Sequence, residues 1–198
     1  MTTNGKSVLR AIYPVLLPVA DDKRALTGRE KVVYLSAWAR AALAMSARET
    51  GIVLGALEKN DAGAPLPSNG YYWSLAHKSD CVAAVVADVP IGIDIEKSRE
   101  VTPGLYRRIA TDEEWRLGSE NREHLFFRYW TAKEAVLKVA GTGIRELAYC
   151  RIARVVDEQL IQLDFKGEPF QVRHFFHDRH TIGIVDVGCP IEFKVVNP

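Results

Sequence analysis

Phe126-Phe127-Arg128-Tyr129-Trp130-Thr131-Ala132-Lys133-Glu134-Ala135-Val136-Leu137-Lys138 reads as one helix. Trp130, Glu134 and Lys138 are spaced i, i+4, i+8 and therefore share one face. The helix is predicted from about Glu123 to Ala140, with Gly141-Thr142-Gly143 as its stop signal. Upstream, Ile91-Gly92-Ile93-Asp94-Ile95-Glu96 is predicted as a strand, because β-branched residues alternate with Gly, Asp and Glu. Asp94 and Glu96 lie two apart, so their carboxylates point to the same side. Three carboxylates and a lysine on two neighbouring elements form a costly cluster without a counter-charge. A hard divalent cation is the simplest one, and magnesium with phosphate oxygens suits an all-oxygen donor set.

Outward from these two segments, residues 27–57 read as helical. Thr27 is the expected N-cap, with Glu30 completing a capping box. Val32, Val33, Leu35, Ser36, Trp38, Ala39, Ala42 and Leu43 form a broad apolar stripe, Gly51 interrupts it, and Ile52 to Leu57 reads as a short second helix. Asn60 to Gly70 is rich in turn residues and reads as a loop. Strands are expected at Tyr71–Leu75, Cys81–Ala87 and Ile91–Glu96, with Asp88 to Pro90 as a tight turn between the last two. Beyond a helix opened by Thr111-Asp112-Glu113-Glu114 and the long helix, strands are expected near Tyr149–Val156, Leu160–Phe165, Phe170–His177 and Thr181–Val187. A helix followed by a meander, used twice, implies an α+β fold of two similar lobes with a crevice between them. The lobes are residues 1–98 and 99–198, divided near Lys97–Val101.

The 198 residues are 47% hydrophobic and 26% charged, which suits a globular chain. A net charge of +1 argues against a general nucleic-acid binder. Residues 97–110 are locally basic, holding Lys97, Arg99, Arg107 and Arg108 against Glu100. Cys81, Cys150 and Cys189 fit neither a disulfide framework nor a zinc site, and Cys81 and Cys150 read as buried, inert thiols. Met1 to Ala20 lacks a signal-peptide core of adequate length, and no apolar run approaches a membrane span. A cytoplasmic monomer is the expectation.

The pair Gly92-Ile93-Asp94-Ile95-Glu96 and Trp130-Thr131-Ala132-Lys133-Glu134-Ala135-Val136-Leu137-Lys138 resembles the two signature motifs of the 4′-phosphopantetheinyl transferases, and the two-half layout resembles their Sfp-type branch. The resemblance implies a pseudo-two-fold fold with its active site between the lobes. It implies transfer of the phosphopantetheine arm of coenzyme A to a serine of an apo acyl, peptidyl or polyketide carrier protein, with release of adenosine 3′,5′-bisphosphate. By resemblance Asp94, Glu96 and Glu134 bind magnesium. The proton acceptor is Glu134 or a water on the metal, and Lys138 donates to the α- or β-phosphate. Lys133, about 100° round the helix from Glu134, orients the substrate or pairs with another carboxylate.

Ser74-Leu75-Ala76-His77-Lys78-Ser79 resembles the family's Ser-His-Ser segment, whose histidine contacts the 3′-phosphate. Ala76 and Lys78 replace the serines on either side of His77, and Lys78 adds a cation that suits phosphate. Gly63-Ala64-Pro65 aligns with a family Gly-Lys-Pro, so the lysine is absent. Either Lys78 or an arginine of the first helix replaces that charge, or the pocket has one phosphate contact fewer, and Lys23, Arg24, Arg29, Lys31 and Arg40 are candidates for the adenine-phosphate end. Each feature alone also has a structural reading: Glu134 and Lys138 as a solvated helix pair, Asp94 and Glu96 as the wet face of an edge strand, Trp130 as core. Their occurrence together and in order favours the metal site. A different magnesium phosphotransferase or hydrolase would turn over nucleotides without a carrier. A non-catalytic module binding carrier protein or coenzyme A would need no such carboxylate set. No membrane or nucleic-acid partner is expected.

Overall fold

The chain alternates between helices and meanders, as its hydrophobic periods require. The elements are β1 (Val15–Pro18), α1 (Asp21–Arg24), α2 (Gly28–Thr50), β2 (Tyr72–His77), β3 (Cys81–Ala87) and β4 (Ile93–Lys97). They continue with α3 (Pro103–Ile109), α4 (Asp112–Trp115), α5 (Arg122–Ala140) and a 3-10 turn over Ile144–Tyr149. Last come β5 (Cys150–Val155), β6 (Leu160–Phe165), β7 (Glu168–His177), β8 (His180–Val185) and β9 (Lys194–Val195). The computed structural model describes residues 9–196. The signal-peptide reading of Met1 to Ala20 and the outer ends of the two expected lobes therefore fall partly outside the described residues. No helix among the described residues is long and apolar enough to cross a membrane.

The fold is α+β and has two sheets, with strand orders β2-β3-β1-β9 and β4-β8-β7-β6-β5. Strand alternation assigns each sheet two faces. Val15, Leu17, Val82, Ala84 and Val86 of the first sheet meet Leu35, Ala39, Ala42 and Leu43 of α2. Leu16, Ala83 and Val85 on its other face meet Ile93, Ile95, Ile182 and Ile184 of the second sheet. The outer face of that sheet, including Ile152, Ile161, Leu163 and Val172, packs on α5. The layers thus run helix, sheet, sheet, helix, and β3 is buried along its whole length.

Two glycines allow α5 to lie directly on the second sheet. A Cβ on Gly92 would sit 1.9 Å from the Ala135 carbonyl oxygen, and one on Gly183 would sit 2.9 Å from the Thr131 backbone. Gly183 is opposite Asp94 in the β4–β8 ladder. The small residues therefore bring the α5 surface down onto the Asp94 side of β4.

Several expectations are corrected. The strand carrying Asp94 and Glu96 does not pair with β3; it pairs antiparallel with β8. A tight hairpin at Asp88–Pro90 would need a positive φ, and none of those residues has one. The chain passes from the first sheet to the second between Ala87 and Ile93. Thr27 precedes α2 but makes no side-chain cap, since Gly28 opens the helix at φ 54°. The capping box forms instead at Thr111 and Glu114. Ile52 to Leu57 is not helical, because Gly51 ends α2 in the left-handed region. Val32 and Val33 are 62% and 60% exposed, so the α2 stripe is narrower than its apolar residues suggest.

Candidate active site

The two sheets meet edge to edge at β2 and β4, and the candidate site is built on that seam. Ile93 N–H donates to Ser74 Oγ across it at 3.1 Å. Lys138, in the last turn of α5, reaches into the seam. Its ammonium donates to Leu75 O at 3.2 Å, Ile93 O at 2.7 Å and Asp94 Oδ1 at 2.9 Å. A lysine has three N–H groups, so all are engaged, and the phosphate contact expected of Lys138 requires one to be given up.

Ile93 and Ile95 turn into the layer between the sheets, which sends Asp94 and Glu96 to the α5 side. Both carboxylates are buried. Glu96 is paired with Lys78, which follows β2. Asp94 Oδ2 is buried with no hydrogen-bond partner among the described residues. Glu134 faces them from α5, half-buried. Burial first, then the Asp94 and Glu96 charges, push its carboxyl above the ordinary range, while Lys138 and Lys78 pull the other way. Burial also pushes the Glu96 carboxyl up, against the pull of Lys78. The fold therefore gathers Asp94, Glu96, Glu134, Lys78 and Lys138 from both sheets and one helix.

Three carboxylates are a hard oxygen donor set, and the unpartnered Asp94 Oδ2 is an oxygen a cation would satisfy. In this arrangement, however, no three His, Cys, Asp or Glu side chains among the described residues converge closely enough to hold a metal ion. Lysine ammoniums lie against Asp94 and Glu96 instead.

Beside the seam is a cleft of about 260 Å³, lined by Lys59, Gly63, Ala64, Pro65, Trp73, Glu134 and Lys138, among others. His77 stands exposed at the end of β2. Partial desolvation by the surrounding side chains first, then the charges of Lys138, Lys78 and Lys59, push its imidazole below the usual histidine value. Lys59 is the basic residue that sequence reading missed. The Asn60 carboxamide accepts from Ala62 N–H and Ala64 N–H, closing a turn. That turn pairs Lys59 with Pro65, beside the alanine that replaces the family lysine. The local signal was an Asn-Asp pair ahead of Gly63, a turn that returns the chain on itself.

Other expected residues go elsewhere. Lys133 is 3% exposed and donates to Glu114 Oε1 at 2.7 Å, the same oxygen that accepts from Ile152 N–H. It fastens α4 and β5 to α5 and does not line the cleft, so of its two expected roles it takes the pairing with another carboxylate. Lys23 and Arg24 pair with Asp22 and Asp21, and Arg40 donates to Ser36. None of these three, nor Arg29 or Lys31, lines the cleft. Lys97 pairs with Asp80, leaving Arg107 and Arg108 exposed on α3. Trp130 packs on the Phe126 ring, 5.6 Å between centroids. Cys81 and Cys150 are buried, and burial pushes both thiols up to about 12.

Comparison with known proteins bears on this geometry. The family model of the 4'-phosphopantetheinyl transferase superfamily matches residues 90–185, from β4 through β8. The holo-[acyl-carrier-protein] synthase of Streptococcus uberis is 30% identical over 107 residues, 52% of this chain and 84% of that protein. The chain belongs to the 4′-phosphopantetheinyl transferase superfamily. Two further members are similar over shorter stretches. The 4'-phosphopantetheinyl transferase psf-1 of Bacillus pumilus is 33% identical over 78 residues, 37% of this chain and 34% of that protein. The 4'-phosphopantetheinyl transferase HetI of a Nostoc species is 36% identical over 92 residues, 43% of this chain and 39% of that protein. The match thus spans little more than a third of each of these two superfamily members.

Proposed function

We propose that the seam and its cleft transfer the 4′-phosphopantetheine group of coenzyme A to a serine of an apo carrier protein, with magnesium as cofactor. The observation that carries this reading is Glu134 on α5 facing Asp94 and Glu96 on β4 closely enough to feel both charges, with Glu134 and Lys138 on the wall of the cleft. In the reaction the serine oxygen bonds to the β-phosphorus of coenzyme A. The bond from that phosphorus to the bridging oxygen breaks, and adenosine 3′,5′-bisphosphate leaves with the electron pair. The serine proton passes to a base.

Asp94, Glu96 and Glu134 would hold magnesium, which when bound neutralises charge on the diphosphate. Glu134 is the chain's candidate base. It has no hydrogen-bond or ion-pair partner among the described residues, and burial raises its proton affinity. Lys138 fixes the orientation of Asp94 and adds positive charge to the cleft wall. Lys59, His77 and Lys78 form the cationic end suited to the phosphates of coenzyme A. The acceptor is an acyl, peptidyl or polyketide carrier protein, and exposed Arg107 and Arg108 on α3 offer an acidic carrier a basic surface.

The test is incubation with coenzyme A, magnesium and a purified apo carrier protein, followed by intact mass. The carrier should gain one phosphopantetheine on serine. No gain with several carriers, while the protein remains folded, overturns the reading.

A further inference from the structure

We propose that Lys78 is a tethered counter-ion that competes with the divalent cation for Glu96. It must release that carboxylate before the cation is held, and the freed ammonium then serves the anionic substrate. This inference rests on the reading of the cluster as a cation site.

The two lysines at the cluster are not equivalent. Lys138 is held by two backbone carbonyls and Asp94, and moving it would strand both carbonyls. Lys78 has Glu96 Oε1 as its one acceptor for the ammonium among the described residues. Its side chain is 33% exposed, against 6% for Glu96. A flexible, half-wet cation therefore sits on a buried, fixed carboxylate. The Lys78 backbone is pinned, because its N–H donates to Cys81 O at 2.8 Å, so a swing involves the side chain alone.

Charge explains why the swing accompanies cation binding. Asp94, Glu96 and Glu134 with Lys78 and Lys138 leave one net negative charge. A divalent cation among them makes the cluster positive, and its repulsion with an ammonium on the same oxygen falls on Lys78, the lysine able to leave. Released Lys78 lies beside His77, whose imidazole already feels Lys138, Lys78 and Lys59. That is where a phosphate anion would find the most cations. Cation and phosphate anion should therefore bind more tightly together than apart, and by the same factor in either order of addition.

The test titrates the full chain with Mn2+, as a probe for the divalent cation, and follows bound metal by electron paramagnetic resonance. Without coenzyme A, Lys78→Met should bind Mn2+ about threefold to tenfold more tightly than wild type, a change of up to about 1.4 kcal/mol. Lys78→Arg should restore wild-type affinity or weaken it. Coenzyme A should tighten Mn2+ binding more in wild type than in Lys78→Met. If Lys78→Met fails to fold, Lys78→Gln carries the same expectation. Wild-type or weaker Mn2+ affinity in the uncharged variant overturns the proposal. If Asp94→Asn leaves Mn2+ binding unchanged, or wild type binds none, the cation site itself falls and the proposal with it. Carrier loading by wild type alongside unchanged affinity in the variant sinks only the Lys78 role. Tighter Mn2+ binding in the variant with no carrier loading by wild type sinks only the transferase reading.

Discussion

Helices α2 and α5 each cover one sheet, but they are different kinds of helix. α2 buries Leu35, Ala39, Ala42, Leu43, Ser46 and Ala47 along one narrow face, and its charged residues lie on the outside. α5 buries residues on nearly every side, including Arg128, Thr131 and Lys133. A buried polar side chain persists only with partners. Arg128 has Glu120 and the Asp157 carbonyl, Thr131 has the Phe127 carbonyl, and Lys133 has Glu114. Half-buried Glu134 has no such partner among the described residues, and it faces the two carboxylates of β4. The contrast teaches that on a helix enclosed on most sides, polar residues are paired almost throughout, and the proposed function draws on the one left without a partner among the described residues.

The sharpest way to break the comparison is Glu134→Ala. Transfer should fall by about 10³-fold or more, on the order of the several kcal/mol a metal supplies to the transition state. Without metal the melting temperature should hold or rise, since the substitution removes a half-buried carboxylate crowded by Asp94 and Glu96. Full activity at saturating magnesium would remove Glu134 from the site.

Lys133→Met tests the paired kind of residue. Breaking a buried pair costs about 3–5 kcal/mol, which lowers the melting temperature by roughly 6–20 °C in a chain of this size. The protein that remains folded should bind coenzyme A with unchanged affinity, measured by calorimetry. A stable variant with weakened coenzyme A binding would return Lys133 to the substrate.

A smaller effect concerns His174, which lies fully buried beneath α5 with its Nε2 against the Arg128 carbonyl at 3.0 Å. Burial, then the Arg128 charge, push its imidazole down to about 3. The unfolded chain protonates this residue near 6.5, so over that window the unfolded state binds the extra proton. Stability should fall as pH drops from about 6.5 toward 3. Urea midpoints at pH 7, 5.5 and 4.5 should show the fall, and His174→Gln should shallow it. An equal slope in both proteins would place the acid sensitivity elsewhere.

The smallest effect compares the outer surfaces. Arg107→Glu with Arg108→Glu should raise the carrier KM about threefold to tenfold at low salt, leave that for coenzyme A unchanged, and flatten the salt dependence. Reversing Arg29 and Lys31 on α2 should change neither constant. Equal effects from the two surfaces would show that only net charge matters.

Much of this was legible in the sequence. The long helix, its glycine stop and the strands of both meanders follow from periods of 3.6 and 2. The α5 and β4 motifs marked Asp94, Glu96 and Glu134 before any packing was known. What stayed hidden depends on tertiary contact. β1 and β9 are short and gain their strand character from neighbours, and β4 joins β8 through a long-range ladder that local turn reading misassigned. Lys133 could not be told from a substrate ligand, because its partner Glu114 lies on another element. Lys59 enters the cleft only because a side-chain turn at Asn60 folds the loop back.

The last strand has a consequence for how the molecule is made. Residues 190–196 run alongside residues 12–16, with Ile12 N–H donating to Pro190 O, Lys194 N–H to Pro14 O and Val196 N–H to Leu16 O. The first sheet is thus closed by residues synthesised after the entire second one. During translation β1 must wait with one side unpaired, exposed to pairing with a neighbouring chain. Contacts of such long sequence separation also slow folding. Completion of the first sheet therefore waits on residues 190–196.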